Sequence, residues 1–111
     1  MFQHSKQGAI DIISGDEVLD RSTIEDVLEL IEKCMVLGQP KLVFNLEKVP
    51  LIDSQGLGFL LETRDQCSER GGTFKLAAPN KLGKDILRIT GIDEEIEIFD
   101  DVIAAAGSFG Q

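Results

Sequence analysis

The sequence predicts an α/β fold, a mixed sheet of about four to five strands covered by about four helices, and three observations carry that prediction. Ile24, Val27, Leu28, Ile31, Cys34 and Met35 recur at steps of three and four, the period of a helix with one buried face. Lys41 to Leu46 and Thr73 to Ala78 are short apolar runs bounded by proline, glycine or charged residues, as strands covered on both faces read. Between them, Asp53-Ser54 opens a second helical stripe of Leu57, Leu60, Leu61, Arg64 and Cys67, which closes at Gly71-Gly72. Strand, helix and strand in that order imply a right-handed crossover between parallel neighbours.

The remaining elements follow in chain order. Phe2-Gln3-His4 and Ala9 to Ile13 read as two strands of a hairpin joined by the polar turn Ser5-Lys6-Gln7-Gly8. Ser22-Thr23-Ile24-Glu25 matches a capping box for the first helix, and Gly38 and Pro40 end it. Asn80 caps a third helix in which Leu82, Ile86 and Ile89 share a face, with Gly91 as its stop. Ile96-Glu97-Ile98 alternates as a short strand, and Asp100-Asp101 opens a last helix from Val102 to Ala106. The expectation is one domain over residues 1–111, with its core at about 9–106 and a loose tail at 107–111.

Composition narrows the function classes. With 42% apolar and 28% charged residues the chain suits a soluble globular domain. Its apolar runs fall far short of the roughly 20 residues needed to cross a bilayer, and no basic segment followed by an apolar one opens it, so a cytoplasmic protein without a membrane partner is expected. A net charge of −9 argues against nucleic acid and anionic membranes, which are bound through lysine and arginine, and favours a protein partner. Most of the acid, including Asp93-Glu94-Glu95, reads as solvated surface. Cys34 and Cys67 are too few for a disulfide framework and read as buried thiols.

No catalytic machinery is legible. His4 is the single histidine and lacks a cysteine in a suitable sequence setting, and Ile52-Asp53-Ser54-Gln55-Gly56 lacks the first glycine of the hydrolase elbow. No phosphate-binding glycine loop, dinucleotide fingerprint or calcium loop occurs, so neither cofactor nor metal is expected.

Ser54 is the residue with a chemical opportunity. It stands where a strand and connector give way to a helix, and free N–H groups in the first helical turn, with the positive end of the dipole, favour an anion there, including a phosphate on the serine itself. The plain alternative is that Asp53 or Ser54 is only an N-cap, worth about 1 kcal/mol. Gly56 and Gly58 each cost about 0.8–1.0 kcal/mol inside a helix relative to alanine. Two readings of them stand: close approach by a partner's backbone, or close packing of the helix on its own sheet.

Asp53-Ser54-Gln55-Gly56-Leu57-Gly58 after a strand and connector, then an amphipathic helix, Arg70-Gly71-Gly72, a strand and Ile89-Thr90-Gly91-Ile92, together resemble the STAS domain, the sulphate transporter and anti-sigma factor antagonist family. The likeness runs from about Ala9 to about Ala106 and implies a STAS-like sandwich. In the bacterial antagonists the serine of the Asp-Ser pair is phosphorylated by a partner kinase, and the matching residue is Ser54; Gln55 departs from the usual Ser, Thr or Ala.

The resemblance implies partner switching in transcription regulation. The unmodified form binds an anti-sigma factor serine kinase, the kinase phosphorylates Ser54, and a serine phosphatase restores the binding form. The chain is then a substrate and not an enzyme, with Asp53, Ser54, Gln55, Gly56, Leu57 and Phe59 as the partner-binding residues. An alternative is a STAS docking subunit of a signalling or lipid-transport complex without a phosphate cycle. An acyl carrier protein is a further rival, also small and acidic with Asp-Ser opening a helix, but all-helical and with leucine directly after the serine.

Overall fold

The computed structural model describes residues 1–35 and 38–110. Five strands form one sheet in chain order, β1 (Phe2–Gln7), β2 (Ile10–Gly15), β3 (Lys41–Asn45), β4 (Thr73–Ala77) and β5 (Ile98–Phe99). β1 runs antiparallel to β2, and every later neighbour is parallel. The helices α1 (Ile24–Cys34), α2 (Ser54–Glu69), α3 (Lys81–Ile89) and α4 (Val102–Gly107) fill the crossovers and the C-terminal end. The predicted α/β sandwich, mixed sheet and four helices are therefore present, and the strands exclude the all-helical carrier fold.

Alternation along each strand sorts the core into two layers. Ile13, Leu42, Phe44, Phe74 and Leu76 face α1 and α2 in the larger layer, where Val27, Ile31, Leu60, Cys67 and Leu87 are also buried. Ile12, Val43 and Ala77 face the other way, against Ala105 of α4. Two faces covered by helices explain why β3 and β4 read as continuous apolar runs rather than as alternation.

Several details differ from the sequence expectation. The hairpin turn is not Ser5 to Gly8: Gln7 pairs with Ile10, so the strands extend through Ser5-Lys6-Gln7 and only Gly8, with φ +63°, and Ala9 turn the chain. The capping box at Ser22 does not form. Instead the Asp20 carboxylate accepts from the Ser22 N–H at 2.9 Å, while the Thr23 hydroxyl donates to the Val18 carbonyl at 2.7 Å. The strand expected at Ile96–Ile98 starts later, because the Ile96 N–H is already bonded to the Ile92 carbonyl, closing the segment just after the 3₁₀ turn Ile92–Glu94.

On α3 the buried face is Gly83 and Leu87, while Leu82 and Ile89 are 51% and 75% exposed. The side chain of Asn80 sets that rotation: its carbonyl oxygen accepts from the Gly83 N–H at 2.7 Å and its amide donates to the Pro50 carbonyl at 3.2 Å. The described part of the expected tail has regular structure and contacts of its own. Ser108–Gly110 form a 3₁₀ turn in which the Ser108 hydroxyl accepts from the Lys75 ammonium and the Phe109 ring lies 4.4 Å from it. Gln111 lies outside the described residues.

Candidate functional site

The connector between β3 and α2 is held from both sides before it delivers Ser54. Leu19, itself fully buried, donates its N–H to the Leu51 carbonyl at 2.9 Å and accepts from the Asp53 N–H at 3.2 Å, a short parallel bridge to Ile52. From the other side Asn80 grips the Pro50 carbonyl. Asp53 is the N-cap of α2: its backbone is extended, its carboxylate accepts from the Gly56 N–H at 2.9 Å, and its carbonyl accepts from the Leu57 N–H at 2.9 Å. Ser54 is therefore the first residue of α2, exposed, on a junction fixed by backbone hydrogen bonds. Asp53 takes the cap role, which leaves the Ser54 hydroxyl available for chemistry.

The six expected partner-binding residues do not share one surface. Ser54 and Gln55 are exposed, Asp53 and Leu57 half-buried, and Gly56 and Phe59 buried. A Cβ on Gly56 would collide with the Leu19 carbonyl oxygen and lie 2.9 Å from Ile52 Cγ2, so this glycine lets α2 sit directly on its own bridge. Phe59 is 6% exposed and belongs to the larger core layer. Neither can meet a partner in this conformation. Gly58, by contrast, has open space where its Cβ would be. The two glycine readings thus divide: Gly56 serves packing, while Gly58 is exposed on the face of Ser54 one turn on.

Of the expected stripe Leu57, Leu60, Leu61, Arg64 and Cys67, Leu60 and Cys67 are buried and Leu57 and Leu61 are half-buried against the core, while Gly56, Phe59 and Thr63 complete the buried face in a rotation that leaves Arg64 at its edge. Thr63 is accommodated because its hydroxyl donates to the Phe59 carbonyl at 2.9 Å, and Arg64 instead reaches Glu95 at 2.9 Å. Exposed apolar side chains flank the connector, Leu51 at 42% and Leu82 on the α3 turn that Asn80 ties to it at 51%. Both cysteines are free and buried as expected; burial is the main cause that pushes Cys34 up to about 12 and Cys67 up to about 11.

Sequence reasoning missed one grouping: strand pairing carries His4 to Asp11, Nε2 to Oδ1 at 2.7 Å, and α1 brings Cys34 beside them. The signal was the length of β1, since extending it through Gln7 sets the register that makes His4 and Asp11 neighbours.

With this geometry in place, comparison identifies the class. The sequence profile of the STAS domain matches residues 3–105, and the chain belongs to that family. A curated relative from Thermotoga neapolitana, named "Putative anti-sigma factor antagonist TM1081 homolog", is 34% identical over 68 residues, which cover 61% of this chain and 60% of that protein. The match thus spans about three-fifths of the relative's length. Among solved structures, a "putative anti-sigma factor antagonist" from Thermotoga maritima superposes with a TM-score of 0.91 at 22% identity over 99% of this chain and 95% of that one. The anti-sigma factor antagonist SpoIIAA in its unphosphorylated form gives a TM-score of 0.80 at 18% identity, over 100% and 98%. At those identities the two structures show the shared fold.

Proposed function

We propose that this chain is a cytoplasmic anti-sigma factor antagonist whose binding to an anti-sigma factor serine kinase is controlled by phosphorylation of Ser54, a serine phosphatase restoring the binding form. The observation that carries the reading is the exposed Ser54 at the first position of α2, on a connector anchored by Leu19 and Asn80, with Asp53 already serving as the cap. A rigid, solvent-facing hydroxyl is what a kinase needs to reach. The curated relative's name agrees with this role.

The docking face in this reading is Ser54, Gln55 and Gly58 with the partly buried Leu57, extended by the exposed Leu51 and Leu82. A phosphoserine adds about −1.5 to −2 charge. At the start of α2 the free protein tolerates it through the dipole and solvent, but a partner packed over Ser54 would have to desolvate that charge beside Asp53. The chain acts throughout as substrate and partner, and the kinase supplies the ATP.

The test has two arms. Reaction with a candidate kinase encoded in the same genome should add one phosphate, mapped by mass spectrometry to Ser54 and absent in Ser54→Ala. Calorimetry with the kinase nucleotide state fixed should then show phosphorylated protein binding at least tenfold more weakly, about 1.4 kcal/mol, with Ser54→Ala binding nearly as the unmodified chain. Equal affinity of the two forms would remove the switch and favour a docking subunit that works without a phosphate cycle.

A further inference from the structure

The cluster on the first three elements brings three different donor types together in a chain with one histidine and two cysteines. His4 stands on β1, Asp11 on β2 and Cys34 in the last turn of α1, and their donor atoms all lie within 4.8 Å of one another. Across the ladder His4 faces Ile13 and Lys6 faces Asp11, which makes His4 and Asp11 diagonal neighbours on the sheet face that α1 covers. Asp11 and Cys34 are buried, at 7% and 8%, while the His4 side chain, 28% exposed, borders a cleft of about 230 Å³ also lined by Lys6, Lys33 and Gln39.

We propose that His4 Nε2, a carboxylate oxygen of Asp11 and Cys34 Sγ bind a zinc ion, with a fourth position open to the cleft. Imidazole nitrogen, carboxylate oxygen and thiolate sulfur are the three donors zinc takes, at about 2.0–2.1, 2.0–2.2 and 2.3 Å. Those bond lengths set tetrahedral donor separations of roughly 3.3–3.6 Å, and the present spacing of 2.7 Å for one pair and at most 4.8 Å for the others brackets them. Side-chain rotation alone can close the site. The thiolate donor selects zinc over calcium or magnesium, which prefer all-oxygen sets.

The charge balance is consistent with lysines at the rim. As the zinc–sulfur bond forms, the Cys34 proton leaves to solvent, and one thiolate and one carboxylate then offset the two positive charges of the ion. Lys6, whose Nζ lies 3.9 Å from Asp11 Oδ1, then faces a neutral centre and not a bare cation. The open position takes water or a small anion, for which the lysines are favourable neighbours.

Titration of the full chain with Co²⁺ in the presence of a phosphine reductant should give one equivalent bound and a sulfur-to-cobalt charge-transfer band that Zn²⁺ abolishes. Cys34→Ser should lose the band, and Asp11→Asn and His4→Gln should each weaken zinc binding at least tenfold, whereas Cys67→Ser should change nothing. His4 is partly exposed on a sheet edge, so His4→Gln keeps the test valid even where the buried variants unfold. No zinc retained in native mass spectra at micromolar metal, a band that survives Cys34→Ser, or unchanged affinity in His4→Gln would each overturn the site.

Discussion

Gly56 and Gly58 are two residues apart in one helix, yet their surroundings give opposite expectations for the same substitution. Alanine at either position gains about 0.8–1.0 kcal/mol of helix propensity. At Gly58 nothing opposes the gain, so Gly58→Ala should stabilise the fold by roughly that amount. At Gly56 the new methyl meets the Leu19 carbonyl, which the Asp53 N–H holds, on a residue whose own N–H is tied to Leu51, so overpacking of about 1–3 kcal/mol should leave Gly56→Ala net destabilised. Urea denaturation of both variants checks the signs, and equal shifts would contradict the seating of α2 on Leu19. The sequence could not separate these glycines, because the partner of Gly56 is a carbonyl 37 residues earlier, and nothing in the local pattern points to it. Ser54 was legible for the opposite reason: its position at the start of α2 follows from neighbours alone. Cys67 adds a pH dependence. Its thiol pKa is raised by burial from 9.0 to about 11, so its contribution is fully present below about pH 9 and is lost as pH rises toward 11, where the unfolded chain ionises first. The melting temperature should fall more steeply between pH 9 and 11 in wild type than in Cys67→Ala, each measured against its own value at pH 7.

Elements were legible where one physical cause dominated, and misplaced where two competed. The stripe from Ile24 to Met35 located α1 because burial of one helix face alone sets it. Periodicity also found α3, yet chose the face of Leu82, Ile86 and Ile89, since apolar spacing carries no knowledge that Asn80 is tethered to the connector and turns Gly83 and Leu87 inward. Strand β4 stops at Ala77 and not at Ala78 for a backbone reason: Ala78 has φ +57°, while its N–H still donates to the Phe99 carbonyl at 2.8 Å. An alanine in the left-handed region carries strain of roughly 1–2 kcal/mol that glycine does not. Ala78→Gly should therefore raise stability by up to about 1 kcal/mol after glycine's larger unfolded-state entropy is deducted. Chemical denaturation that shows a loss of 1 kcal/mol or more would mean the Ala78 methyl packs usefully and the strain is not there.

At the scale of the whole molecule the sheet has two faces, and the smaller one is closed by α4 and the turn Ser108–Gly110 over a charged residue. Lys75 lies mid-strand on β4 with 5% exposure, an expensive place for an ammonium unless every side of it is answered. Here Ser108 accepts its hydrogen bond, Glu97 lies at 3.5 Å, and the rings of Phe109 and Phe99 lie at 4.4 and 5.4 Å. Residues 107–111 read as a loose tail from their glycines and polar side chains, because the charge that Ser108 and Phe109 cover lies far back in the chain, 33 residues from Ser108. Removal of the nearer ring should show whether the turn is a working part of the fold. Phe109→Ala gives up a half-buried aromatic packed against the layer of Ile12, Val43, Ala77 and Ala105 and should cost about 1–2 kcal/mol. Lys75→Met removes the charge but keeps an unbranched apolar stem that the same rings can cover. If the ring is held mainly by the cation, the double variant should show a coupling of about 0.5–1 kcal/mol between the two positions. If it is held by apolar packing alone, the two losses should add, and the charge of Lys75 would then be neutralised by Ser108 and Glu97 without help from Phe109. A Phe109→Ala variant as stable as wild type would instead show the turn undocked in solution, with Lys75 open to water on that face.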